Sequence, residues 1–175
     1  SLIGDHQIHN VSTSIAACRK IFNISDVNIK NSMKKMRLKG RLEEIKSGKL
    51  KNLIGENRLI IDGGHNINSA ISISKWVKQQ NEKVHLICGM MNDKPHKEFV
   101  NQFENSVNTI TLIDIPNQEG SISKEDFKKK LGNKNIHTAR SIEESLLMNN
   151  KDENCIFLCA GSPVSYTHLT LTTKA

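Results

Sequence analysis

The stretch RLIIDGGHNINSA, residues 58–70, decides the fold. It runs from a short apolar segment through an acid, two glycines, a histidine and an asparagine into a helical pattern. RLIID is too short for a buried helix and is bounded at once by turn residues, so it predicts a buried strand. Asn66 stands where a helix N-cap belongs, and Ala70, Ile73, Trp76 and Val77 then share one face at helical spacing.

Working outward, the same alternation repeats. VHLICG (84–89), TITLIDI (109–115), NIHTA (135–139) and CIFLCAG (155–161) read as strands. KEFVNQF turns Phe99, Val100 and Phe103 inward. Ser123 with Asp126, and Ser141 with Glu144, have capping-box spacing ahead of KEDFKKKL and IEESLLM. Near-continuous apolar strands separated by amphipathic helices predict an α/β fold, a Rossmann-like and mostly parallel sheet with helices on both faces. The first part differs. It reads as two helices, about 10–22 and 26–36, followed by an irregular segment joined to the α/β unit by a hairpin or linker near 37–57.

Composition narrows the function classes. The chain has 175 residues, 37% apolar and 25% charged, and a net charge of +7. No apolar run approaches the roughly 18 residues of a membrane span, and the first residues carry no secretory pattern. The lysines are scattered, and their densest cluster, KNSMKKMRLKGR (30–41), lacks aromatic stacking partners. A solvated helix face or a small phosphate ligand is therefore expected there, and no nucleic-acid partner. Cys18, Cys88, Cys155 and Cys159 have no zinc or redox spacing. They read as reduced thiols of a cytoplasmic protein, and no metal site is expected.

In open α/β sheets ligands bind beyond the carboxyl ends of the strands. Here those ends carry DGGHN, GMMNDKP, PNQEG, ARS and GSP, which gather the distinctive residues on one edge. Gly63 and Gly64 let a ligand approach the backbone, and the helix that follows offers amides to an anion. Asp62 could accept from ribose hydroxyls and His65 could reach a phosphate, or Asp62 and Asn66 could simply cap the turn. The glycine pattern is not a dinucleotide fingerprint, and no P-loop sequence occurs.

GDHQIHN, GRLEEI, DGGHN, GMMNDK and CAGS, in this order between residues 4 and 162, resemble the folylpolyglutamate synthase/dihydrofolate synthase family of Mur ligases. The resemblance implies an ATP-dependent amide ligase. Such enzymes make an acyl phosphate from a pteroate or folate carboxylate, which the amine of glutamate then displaces. It further implies that residues 1–40 end a central ATPase domain, that 58–162 form the C-terminal α/β domain, and that the P-loop, Mg²⁺ ligands and folate pocket lie upstream. By the same resemblance Asn10 would contact adenine, with His6 and Gln7 shaping its pocket. Arg41 would reach the ATP phosphates, Asp62 would hold the ribose, and His65 would lie near the transferred phosphate. Asp93 and Lys94 match the family's loop after the second strand, and Ser162 would sit near the incoming glutamate. The expected partners are ATP, L-glutamate and dihydropteroate or tetrahydrofolate, with no membrane, acting on a monomer. A peptidoglycan-precursor ligase using a UDP-linked substrate, or a non-enzymatic nucleotide-binding module, are the alternatives.

Two departures stand out. Gly64 replaces a more usual alanine, which is expected to loosen the turn. PVSYTHLTLTTKA after Ser162 is foreign in character to the chain before it, and residues 163–175 are expected to be a non-native tail.

Overall fold

The computed structural model describes residues 5–36, 38–132, 135–150 and 153–162; the 163–175 tail and the side chain of His6 lie outside that set. Six strands form one sheet: β1 (Glu43–Ile45), β2 (Arg58–Ile61), β3 (Lys83–Cys88), β4 (Thr109–Leu112), β5 (Ile136–Thr138) and β6 (Cys155–Ala160). Their order is β1-β2-β6-β3-β4-β5. All neighbouring pairs are parallel except β1 with β2. The helices are α1 (Asp5–Ile21), α2 (Asp26–Lys35), α3 (Lys49–Leu53), α4 (Ile67–Val77), α5 (His96–Asn101), α6 (Lys124–Leu131) and α7 (Ile142–Asn149). The fold class is as the apolar runs predict.

The two-residue side-chain period of a strand sends alternate residues to opposite faces, and central β6 shows the result. Ile156, Leu158 and Ala160 join Ala70, Ile73, Phe99 and Phe127 in the core beneath α4, α5 and α6. Cys155, Phe157 and Cys159 join Leu50, Ile54 and Leu146 in a second core beneath α3 and α7. Burying each large apolar side chain contributes about 1.5–3 kcal/mol, so a strand apolar on both sides requires helices on both. The connection runs β2→β3→β4→β5 under one layer of helices. It then changes face through α7 and returns β6 to the centre, between β2 and β3.

The helix starts follow their caps. Asn66 Oδ1 accepts from the Ser69 amide at 2.9 Å, and Ser69 Oγ accepts from the Asn66 amide at 3.1 Å. Ser123 and Ser141 accept from the Asp126 and Glu144 amides at 3.1 and 3.2 Å. The Glu144 carboxylate bonds the Arg140 amide at 2.6 Å, one residue before the cap where a capping box would place it.

Between residues 37 and 57 the chain is more than a linker: edge strand β1, antiparallel to β2 as in a hairpin, leads through helix α3 into β2, with Leu42, Leu50 and Ile54 buried. Glu43-Glu44-Ile45 carries no alternating apolar pattern, because an edge strand exposed on one side needs none. The first helix also begins earlier than the periodicity suggests, at Asp5. Among the described residues no helix is long and apolar enough to cross a membrane.

Candidate functional site

The site is built on the loop after β2. Asp62 extends the strand by donating its amide to the Cys159 carbonyl at 2.9 Å. The chain then turns under three further bonds. The Gly63 amide donates to the Gly40 carbonyl (2.8 Å), the Gly64 amide to Asp62 Oδ1 (2.7 Å), and the Gly161 amide to the Gly64 carbonyl (2.9 Å). The loop is thus stitched to the 40–42 turn on one side and to the end of β6 on the other. Gly64 does not loosen it. A Cβ there would lie 2.8 Å from the Ser69 side chain and 2.9 Å from Asp62 Oδ1, so the Ser69 cap and a side chain at 64 exclude each other.

Arg41 sits in a turn whose flanking residues, Gly40 and Leu42, have φ of 64° and 43°. Leucine is strained in this left-handed region. Its amide is held by Asp62 Oδ2 at 2.8 Å. Glu43 takes the Gly40 amide at 2.7 Å, and Glu44 pairs with Lys46 and Arg58, so Arg41's ion pair is with neither of them. It is with Asp62, at a loose 3.8 Å, and the arginine side chain remains 45% exposed.

His65 is half-buried, its Nδ1 donating to the Gly63 carbonyl at 3.0 Å. A carbonyl can only accept, so the proton is on Nδ1, leaving Nε2 as the nitrogen able to meet a ligand. Protonated there, the ring can donate to an anionic oxygen.

These residues open onto one cleft of about 870 Å³. Its lining includes Gln7 and Asn10 of α1, Lys39 and Arg41 of the turn, Gly64, His65 and Asn66 of the loop, and the apolar Val11, Ile15, Ile29 and Met33. No described lining residue is acidic. Cationic and apolar side chains on one lining suit a ligand with an anionic group on an apolar, planar body. Asp62, expected to hold a ribose, is 3% exposed and does not line the cleft. The structure therefore brings Gln7, Asn10, Arg41 and His65 together at one opening and sets Asp62 behind its wall.

The other candidates are not on the cleft lining. Asp93 and Lys94 form an exposed ion pair of 2.7 Å after β3. The Lys94 hydrogen bond holds the Asp93 carboxyl below its usual range, and His65 adds a smaller pull in the same direction. This loop therefore lies beside the His65 loop. Ser162 is 1% exposed at the end of β6. Among the described residues no three His, Cys, Asp or Glu side chains come together to hold a metal.

Sequence reasoning missed Asn68 and Ser69 as cleft residues and marked Lys39 only as part of the basic cluster 30–41. The His96 ring is buried. Its Nε2 donates to the Met91 carbonyl at 3.0 Å and its edge meets Phe127 at 5.0 Å. His85 is also buried, against Thr109 and Phe157. His9 and His137 are exposed, as are the Cys18 surroundings, whereas Cys88, Cys155 and Cys159 are buried free thiols.

Comparison with known families places residues 40–162 in the Mur ligase, glutamate ligase domain. The chain belongs to this family. Among solved structures it resembles Mycobacterium tuberculosis folylpolyglutamate synthase complexed with ADP and AMPPCP. The TM-score is 0.82 at 16% identity, over 98% of this chain and 41% of that one. It also resembles E. coli FolC in complex with ADP, without folate substrate (TM-score 0.75, 20% identity, 97% and 39%). For Thermotoga maritima folylpolyglutamate synthase the values are 0.68, 22%, 98% and 40%. The chain thus spans about two-fifths of these solved proteins. A comparison with curated protein sequences found no match.

Proposed function

We propose that this Mur ligase domain forms the C-terminal part of an ATP-dependent ligase that joins L-glutamate to dihydropteroate or a folate. Its residues 5–41 and 62–66 would form one wall of the nucleotide cleft. The observation that carries the reading is the shared opening of Gln7, Asn10, Arg41 and His65, with Lys39 beside them and no acid on the described lining. Support also comes from the nucleotide named in the two solved relatives above.

In the proposed reaction the substrate carboxylate oxygen attacks the γ-phosphorus and ADP leaves. The glutamate nitrogen then attacks the acyl carbon, losing a proton as phosphate departs. Arg41 supplies a planar, permanently charged donor fork to the phosphate oxygens. His65 presents Nε2, the ring nitrogen not bonded to the Gly63 carbonyl, to the same cleft. Gln7 and Asn10 offer amides to a heteroaromatic edge above the apolar slot. Mg²⁺, when bound, neutralises phosphate charge, and its ligands are assigned to the part of the ligase outside this chain.

The test is ligation by the full-length ligase supplied with ATP, Mg²⁺, glutamate and either dihydropteroate or tetrahydrofolate. Phosphate and a glutamyl amide should form together. Product formation only with a UDP-linked acceptor would move the domain to the peptidoglycan branch. ADP binding without any ligation would leave a nucleotide-binding module. The 175-residue chain alone should release no phosphate, because its sequence has no phosphate-cradling G-x-x-x-x-G-K-[ST] segment.

A further inference from the structure

We infer that His96 is a positioning residue of the ligase site: its buried side chain closes the Met91–Lys94 turn and so sets Asp93 and Lys94 beside the loop that carries His65. The inference deepens the ligase reading, on which it rests, with a residue outside the cleft lining.

The turn follows β3, and the helix after it does little to hold it. α5 starts at His96 with Pro95 in the cap position and no side-chain cap bond, since proline has no side-chain oxygen to offer. His96 reaches back instead, and its Nε2 donates to the Met91 carbonyl at 3.0 Å. The same carbonyl accepts the Lys94 amide at 3.2 Å, and the Lys94 carbonyl takes the His96 amide at 2.9 Å. Side chain and main chain thus close one ring around Asn92, Asp93 and Lys94. The base of the turn is tied separately. The Asn92 amide donates to the Gly120 carbonyl (2.8 Å) and the Ile122 amide to the Met90 carbonyl (3.1 Å). Those bonds fix where the turn begins, and His96 fixes where it ends.

The ring can do this because it is itself fixed. It is buried, with its edge on Phe127 of α6 at 5.0 Å. The exposed Asp93–Lys94 ion pair is a poor substitute, because such pairs hold geometry weakly. Burial and the charge of Lys130 lower the ring's pKa, with the Met91 carbonyl, Glu98 and Asp93 pulling upward less. At pH 7.5 the ring is therefore neutral, and as a donor from Nε2 it carries its proton there.

The end of β6, between β2 and β3, joins the turn to the His65 loop. The Gly161 amide donates to the Gly64 carbonyl at 2.9 Å. A Cβ on Gly161 would lie 2.7 Å from the Gly89 carbonyl oxygen and 3.0 Å from Met90 Cγ. No methyl group fits between β6 and the root of the turn, and contacts packed this closely transmit small shifts.

Phenylalanine and glutamine separate the hydrogen bond from the packing. His96→Phe keeps a ring against Phe127 and has no donor. His96→Gln keeps an amide N–H at the reach of Nε2 and loses the ring. In the full-length ligase, His96→Phe should lower the ligation rate at saturating ATP about tenfold, since a misplacement of roughly 1 Å can cost about a hundredfold. The ATP KM should change by less than about twofold, because neither His96 nor the turn lines the cleft. His96→Gln should stay within about threefold of the wild-type rate. A His96→Phe rate within about twofold of wild type, or a glutamine variant no faster than the phenylalanine one, would overturn the inference. A second readout needs neither variant nor substrate. In the nitrogen-15-labelled wild-type chain at pH 7.5, the imidazole shifts of His96 should place its proton on Nε2. A proton on Nδ1 would remove the donor and overturn the inference, even where both variants fail to fold. A wild-type enzyme with the Nε2 tautomer but no ligation would refute the ligase reading and the turn's role in it, with the hydrogen bond itself established.

Discussion

The helical pair α1–α2 and the α/β unit that follows are made of similar residues but hold them differently. Every described hydrophobic residue in the buried core lies at Leu42 or beyond. α2 buries none of its residues, and Ile8, Ile21, Phe22 and Val27 of the helical segment are 60–74% exposed. Among the described residues before Leu42 only Gln7 and Gly40 are buried, and Gln7 lies at the cleft. The α/β unit owes its order to two cores of its own, whereas the helical pair serves to supply one side of the cleft. The family match has the same division, covering 40–162 and leaving the two helices outside.

That contrast is broken most directly in the centre of the sheet. Phe157 of β6 is fully buried and stacks on His85 at 5.5 Å. Phe157→Ala should cost about 3–5 kcal/mol, read as a lower urea midpoint for the chain. A loss below 1 kcal/mol would mean that the second core is much looser than its packing indicates.

The next effect tests whether the two regions meet at one site. In the full-length ligase, Arg41→Ala and His65→Ala should each reduce kcat/KM for ATP ten- to hundredfold. Each removes a charge-assisted contact worth about 1.5–3 kcal/mol. Asn10→Ala, on α1, should raise the ATP KM with little change in kcat. Equal insensitivity of all three would separate the cleft from the nucleotide.

How much of this was legible follows from what each residue answers to. Strands β2, β3, β4 and β6 bury both faces, so their runs announced them, and Asn66, Ser123 and Ser141 marked helix starts because caps act locally. β1 was invisible, since its place depends on pairing with β2 (Glu43 opposite Ile61) rather than on its own three residues. Arg41 and His65 were legible as a pattern, but the burial of Asp62 was not. Its partners at Leu42 and Gly64 depend on a turn twenty residues away folding back onto the loop. His96 gave no signal either, because its partner is a main-chain carbonyl, and those are the same in every sequence.

His96 sharpens the comparison within the α/β unit through pH. Burial lowers its pKa from 6.5, with Lys130 pushing the same way; the Met91 carbonyl, Glu98 and Asp93 pull upward less strongly. The folded chain therefore takes up this proton at lower pH than the unfolded chain. The unfolded state binds more protons as pH falls past about 6.5, so this contribution to stability is present above that pH and is lost below it. Thermal melts from pH 7.5 to 5 should fall more steeply for the wild type than for His96→Asn. Parallel curves would show that the ring titrates as it does in the unfolded chain.

The smallest expected effect lies in the helical pair. Phe22 follows α1, its amide bonding the Cys18 carbonyl at 2.8 Å, and its ring is 60% exposed. The hydrogen bond is main chain to main chain, so Phe22→Ala leaves it intact. The ring also leaves no cavity, because most of its surface already meets solvent. A surface substitution away from caps and cores usually changes stability by no more than about 0.5 kcal/mol, against several for Phe157→Ala. The two variants should be unfolded in urea side by side, with far-ultraviolet circular dichroism following the helices. A midpoint shift for Phe22→Ala equivalent to more than about 1 kcal/mol would show that the helical pair shares a core with the α/β unit in solution. The contrast between the two regions would then fail at the residue where it predicts least.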